Sequence, residues 1–172
     1  MKQVGIIGWR GMVGSVLLQR MVEENDFRDI AAHFFSTSSA GTVGPTIDGE
    51  SYILKDANSV SELADMDIII TCQGGDYTKA IYPALITHGW QGYWIDAASA
   101  LRMDEKACII LDPVNRTHID RAIQQGLKLF VGGNCSITLS LMGLAGLLKA
   151  DLIEWMSVMT YQSASGAGAK HV

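Results

Sequence analysis

Val4-Gly5-Ile6-Ile7-Gly8-Trp9-Arg10-Gly11-Met12-Val13-Gly14 joins a short apolar run to a G-x-x-G-x-x-G turn and then to a helical pattern. A run this short and this apolar reads as a strand buried on both faces, and the glycines permit a tight turn after it. Residues 13–24 then place Val13, Val16, Leu17 and Met21 at the spacing of one helix face. Strand, glycine-rich turn and helix in that order make a βα start.

The same alternation continues along the chain. Residues 31–35 read as a second strand, and 36–49, rich in Ser, Thr and Gly, as a loop. A short helix is expected at 59–64, a strand of three isoleucines at 67–71 and a helix at 77–88. Strands follow at 93–96, 108–111 and 127–131, with a helix at 117–125 between the last two. Short apolar runs separated by helices are what a parallel sheet covered on both faces requires, so the fold class is a Rossmann-like, doubly wound, mostly parallel α/β sheet. Residues 137–148, apolar with small Gly143, Ala145 and Gly146, read as a deeply packed helix, 152–161 as a longer strand and 163–169 as a small-residue turn.

The 172 residues suffice for one domain with a sizeable core and at most the start of a second. A 48% hydrophobic and 18% charged composition argues for a packed globular protein. A net charge of −5 without a run of Lys or Arg excludes a nucleic-acid footprint or a basic membrane-binding face. Cys72, Cys108 and Cys135 form an odd set without a C-x-x-C pair, which points to thiols in a reducing compartment, the cytoplasm by default. Met1 leads straight into the first strand without a signal-like apolar segment, and no apolar stretch is long enough to span a bilayer.

Four segments carry candidate chemistry. The turn from Gly8 to Gly14 has the strand-turn-helix context in which a dinucleotide pyrophosphate meets backbone N–H groups and a helix N-terminus. At the end of the second strand, where an NAD site places a carboxylate for the ribose 2′-OH, the chain has Ser36-Thr37-Ser38-Ser39. Hydroxyls there, with Arg10 in the first turn, favour a 2′-phosphate and hence NADP, although the stretch also suits an ordinary polar turn. Gly132-Gly133-Asn134-Cys135-Ser136 places a cysteine at a strand-to-helix junction, where the helix N-terminus favours a thiolate and the Asn134 amide or nearby N–H groups could face an oxyanion. Alone, this stretch better suits a cysteine that merely starts a buried helix, because unreactive cysteines are common in cores. Arg102 follows a strand end at Ala97-Ala98-Ser99-Ala100-Leu101 and could bind phosphate or carboxylate, or simply lie on the surface. His33, His88, His118 and His171 have no metal-ligand spacing, and Cys72 and Cys108 sit in or beside apolar strands.

Taken together, Gly8 to Gly14, Thr71-Cys72-Gln73-Gly74-Gly75-Asp76-Tyr77, Asp96 to Arg102, Leu111-Asp112-Pro113-Val114-Asn115, Gly132 to Cys135 and Tyr161-Gln162-Ser163-Ala164-Ser165-Gly166-Ala167-Gly168 resemble, in order, the N-terminal part of aspartate-semialdehyde dehydrogenases of the Gram-negative type. The resemblance implies an NADP-binding domain over residues 1–133 and the start of an α+β catalytic and dimerisation domain over 134–172, the remainder of which this chain lacks. It implies that Cys135 is a nucleophile forming an acyl-thioester, and that Arg102, Asn134 and Gln162 bind substrate or phosphate. NADP is then held by Gly8, Arg10, Gly11, Met12, Val13, Thr37, Ser38 and Gln73, with Ser165, Gly166, Ala167, Gly168 and Ala169. The implied reaction is the reductive dephosphorylation of aspartyl-4-phosphate to aspartate-4-semialdehyde by a homodimer, on the route to lysine, methionine and threonine. The acid/base histidine of that family has no match here, so the 172 residues alone are expected to be inactive. Rival readings are a related acyl-phosphate reductase, disfavoured by the residues around Cys135 and Arg102, and an NADP-binding module without catalysis.

Overall fold

The short apolar runs pair side by side. In the computed structural model, which describes residues 1–161, strands β1 (Lys2–Ile7), β2 (Ile30–Ser36), β5 (Lys55–Asp56), β6 (Ile68–Thr71), β7 (Tyr93–Asp96), β8 (Ala107–Ile110) and β9 (Leu129–Gly132) form one sheet. Its order is β5-β2-β1-β6-β7-β9-β8, and every pairing is parallel. Helices α1 (Met12–Glu23), α2 (Val60–Ala64), α3 (Gly75–Thr87), α4 (Arg116–Gln124) and α5 (Cys135–Lys149) connect or follow these strands. The doubly wound α/β fold expected from the sequence is the fold observed.

Alternation along the central strands divides the core between two faces. Ile7 and Phe35 join Leu63, Ile69, Leu85, Trp94 and Val131 on one side, and their neighbours Ile6 and Phe34 join Val4, Met21, Ile47 and Leu54 on the other. Burying side chains of this size stabilises the fold by about 1.5–3 kcal/mol each. Strand order reverses direction between β1 and β6, since the chain first builds outward to β2 and β5 and then returns to β6. Crevices at such switch points, beyond the C-terminal strand ends, are where open α/β sheets take ligands.

Four expectations are corrected. The buried face of α1 is Gly14, Leu17, Leu18 and Met21, while Val13 and Val16 are exposed. The small residue Gly14 faces the sheet because α1 begins directly against the turn. Residues 36–49 are not all loop: β3 (Val43–Ile47) pairs antiparallel with β4 (Glu50–Ile53) around Asp48-Gly49, both at positive φ, 51° and 84°. Asp-Gly is a favoured two-residue hairpin turn because both positions must adopt left-handed backbone. Helix α5 is not deeply packed, since it has no buried residue. An added Cβ on Gly143 or Gly146 would meet nothing within 4 Å. Residues 152–161 form no strand and are almost entirely exposed. A strand needs a ladder partner, and among the described residues no strand pairs with this segment. The 163–169 turn, Gln162, Ser165 to Ala169 and His171 lie outside the described residues. No helix among the described residues is long and apolar enough to cross a membrane.

Candidate nucleotide and thiol site

The glycine turn is shaped by close approach. Gly8 has φ +76°, and a Cβ there would lie 2.6 Å from the Cys72 carbonyl carbon and the Gln73 nitrogen. The turn after β1 is therefore pressed against the turn after β6, at the switch point, and Cys72 N–H donates to the Ile7 carbonyl at 2.9 Å. A Cβ on Gly14 would come within 2.1 Å of the Gly8 carbonyl oxygen, so α1 packs backbone to backbone on the turn it leaves. The N-caps of α1 and α3 are Gly11 and Gly74, neither of which offers a capping side chain. Their first N–H groups can thus meet a ligand.

Around this turn the structure gathers Arg10, Thr37, Ser38 and Gln73, four of the residues expected at the cofactor. Arg10 Nη2 donates to Ser36 Oγ at 3.2 Å. Gln73 Nε2 donates to Thr37 Oγ1 at 3.4 Å, linking the ends of β2 and β6. Gly11, Met12 and Val13 form the exposed start of α1 beside them. The residues present fit a dinucleotide: a cradle too tight for any Cβ at Gly8 and Gly14, uncapped helix starts, a guanidinium and exposed hydroxyls.

The thiol lies along the same sheet edge. β9 ends at Gly132, and Cys135 opens α5 with an exposed side chain. Asn134 is the N-cap, its Oδ1 accepting from Ser136 N–H at 3.1 Å and Ile137 N–H at 3.2 Å. The expected donor role therefore falls to Nδ2. Cys135 Sγ is 3.9 Å from Ser136 Oγ. Arg102 is not a loose surface residue: Nε donates to the Gly132 carbonyl at 2.7 Å and Nη2 to the Gly133 carbonyl at 3.0 Å. Its planar fork fixes the two peptide units that lead into Asn134 and Cys135, and its remaining N–H groups can bind an anion.

Asp96 was not singled out from the sequence. Fully buried at the end of β7, its carboxylate accepts from Thr78 Oγ1 at 2.7 Å, Trp94 Nε1 at 3.2 Å and Ala98 N–H at 2.7 Å. It ties the first turn of α3 to the segment carrying Arg102. The signal was an acid closing an apolar strand, which must find partners if buried. Since β6 and β7 separate β1 from β9, three strand spacings of about 4.8 Å put the glycine turn roughly 14 Å from the end of β9.

Of the other thiols, burial and then the nearby Asp96 charge push Cys72 up from its ordinary pKa, and burial does the same for Cys108. His33 Nε2 is paired with Gln3 Oε1 at 2.6 Å, His88 caps the end of α3 and His118 lies in α4. Among the described residues no three His, Cys, Asp or Glu side chains group to hold a metal ion.

Residues 3–122 match the family model described as semialdehyde dehydrogenase, NAD binding domain. The chain belongs to the semialdehyde dehydrogenase family. It resembles the structure of aspartate semialdehyde dehydrogenase from Francisella tularensis, with 51% identity and a TM-score of 0.94, covering 99% of this chain and 47% of that one. Two more distant structures share the fold. One is aspartate semialdehyde dehydrogenase II from Vibrio cholerae, complexed with ASA (23% identity, TM-score 0.81, 99% of this chain and 49% of that one). The other is aspartate semialdehyde dehydrogenase with NADP from Candida albicans (18%, 0.65, 87% and 47%). The chain thus spans about half the length of the solved relatives it matches.

Proposed function

We propose that this chain supplies the cofactor site and the nucleophile of an NADP-dependent aspartate-semialdehyde dehydrogenase. One observation carries the reading: the Arg10, Ser36, Thr37 and Gln73 cluster lies on the same sheet edge as Cys135, which opens α5 under the Arg102 and Asn134 contacts.

The Cys135 sulfur attacks the carbonyl carbon of aspartyl-4-phosphate, and the C–O bond to phosphate breaks as the thioester forms. Asn134 Nδ2 and backbone N–H groups at the start of α5 face the oxyanion. Arg102 binds the departing phosphate or the substrate carboxylate with the N–H groups that the Gly132 and Gly133 carbonyls leave available. When bound, NADPH supplies the hydride that reduces the thioester carbonyl. The thiohemiacetal on Cys135 then collapses, releasing aspartate-4-semialdehyde and the thiolate. Gln162 and residues 165–169 extend the substrate and cofactor contacts, 134–172 begin the catalytic and dimerisation domain, and the acid/base comes from outside these 172 residues. The full enzyme acts as a cytoplasmic homodimer on the route to lysine, methionine and threonine.

Incubating the chain with aspartyl phosphate and reading intact mass should show an acyl adduct that hydroxylamine removes and Cys135→Ser abolishes. Sustained NADPH consumption by the chain alone is not expected. An adduct on Cys72 or Cys108 instead, or full turnover without further polypeptide, overturns the assignment.

A further inference from the structure

We infer that Asn115 stands in for one residue of an eighth strand and so closes the β8 edge of the sheet against a second copy of this chain. Neither the glycine turn nor Cys135 takes part.

The two edges of the sheet differ. At one end β5 is only the charged pair Lys55 and Asp56, and a short, charged strand is one way native sheets blunt an edge. At the other end β8 is longer, and the run Ala107-Cys108-Ile109-Ile110-Leu111 carries no charge, proline or glycine. Ile109 within it is 41% exposed. Left open, such an edge is a template for another strand. Asn115 takes its hydrogen-bonding groups. Nδ2 donates to the Ile109 carbonyl at 2.8 Å, and Oδ1 accepts from Leu111 N–H at 2.9 Å. In a parallel ladder, a residue of a neighbouring strand lying beside Ile110 makes these same two bonds, donating to the carbonyl before it and accepting from the N–H after it. Ala107 N–H donates to the Asp104 carbonyl at 3.0 Å, which occupies a further group of the strand.

The side chain gives up another bond to do this. Asn115 is the N-cap of α4, a position where Asn ordinarily accepts from the first turn, yet its side chain makes no capping bond. Its backbone holds it in place, the N–H donating to the Leu111 carbonyl at 3.1 Å and the carbonyl accepting from His118 N–H at 2.8 Å. A second copy is the partner that the edge's own pattern fits. A two-fold axis pairs a surface with itself and makes the paired strands antiparallel. Centred on Ile109, it sets the apolar residues of two copies side by side. It also puts Lys106 of each copy beside Asp112 of the other, so the charges at the ends of the run are complementary. That pairing needs the Ile109 carbonyl and the Leu111 N–H, the two groups that Asn115 occupies.

The test compares sedimentation of the 172-residue chain with that of Asn115→Ser, whose shorter side chain can cap α4 but cannot bridge the two edge groups. Association through other surfaces is common to both chains, so the difference between them is the readout. Asn115→Ser, with a native circular dichroism spectrum, should dimerise at a concentration at least about tenfold lower than the parent. Adding Ile109→Lys, which sets like charges face to face on the two-fold axis, should return the variant to the parent's behaviour. A folded Asn115→Ser that sediments as the parent does, or an association that Ile109→Lys leaves in place, overturns the role of Asn115. Should the variant not fold, hydrogen exchange of the parent decides. A Leu111 amide at least about tenfold slower than in an unfolded peptide supports the closed edge, and one that exchanges as freely as in that peptide overturns it.

Discussion

Cys135, Cys72 and Cys108 share a side chain and differ in surroundings, and that difference is measurable. Cys135 is exposed at the start of a helix, whereas burial raises the pKa of the other two, with the Asp96 charge adding to the effect at Cys72. A thiol alkylates through its thiolate. At pH 7 iodoacetamide should therefore modify Cys135 first, by about tenfold or more, as read by peptide mass. Raising the pH should narrow the gap, because the raised pKa values of Cys72 and Cys108 defer their thiolates to higher pH than an ordinary thiol requires. Equal rates at pH 7 would contradict the assignment of Cys135. Glycines divide in the same way. Gly14→Ala drives a methyl against the Gly8 carbonyl and should cost about 3 kcal/mol or more, whereas Gly146→Ala, in open space within α5, should stabilise by about 0.5–1 kcal/mol. Urea unfolding of both variants checks the pair.

At the scale of elements, parallel strands were legible because burial on both faces demands unbroken apolar runs such as Ile68–Thr71, and the G-x-x-G-x-x-G turn identified the first βα unit. The β3–β4 hairpin escaped because Val43–Ile47 contains Gly44 and Pro45 and lacks clear alternation, so its Asp-Gly turn was the one usable signal. For α5 and residues 152–161, apolar sequence was read as burial. Apolarity records what a segment would gain from a partner and does not identify one. The site was legible where a motif is local, as at Gly8 to Gly14 and Cys135. It was opaque where partners are distant, as in Asp96 with Thr78 or Arg102 with Gly132. Asn134 joins both kinds, since its side-chain oxygen caps α5 while its amide nitrogen carries the proposed donor role. Asn134→Ala should lower stability by about 1 kcal/mol, while Asn134→Asp retains the cap and most of that stability. The aspartate should nevertheless slow alkylation of Cys135, because it replaces an N–H donor with negative charge beside the thiolate. If both variants unfold at the same urea concentration as the parent chain, the cap is not holding α5.

At the scale of the whole molecule, the sheet carries core clusters on both faces while the end of the described chain is not covered. Leu139, Leu152, Trp155 and Met159 are 70%, 71%, 78% and 85% exposed, and α5 contributes nothing to the core. Scattered exposed apolar residues are ordinary, but this concentration in one stretch of sequence is what an interface looks like before it closes. The 172-residue chain should therefore associate with further copies of itself as concentration rises, seen as a concentration-dependent sedimentation coefficient. Leu139→Lys combined with Met159→Lys should shift it toward monomer. Because neither side chain is buried in the monomer, the double variant should change unfolding free energy by no more than about 0.5 kcal/mol. NADPH affinity provides an independent check, since the Arg10 and Ser36 cluster lies at the far side of β1 from α5 and should bind the cofactor equally well in monomer and assembly. A chain that stays monomeric at high concentration, or charged variants that destabilise the fold strongly, would show that this stretch packs in a way its exposure does not reveal.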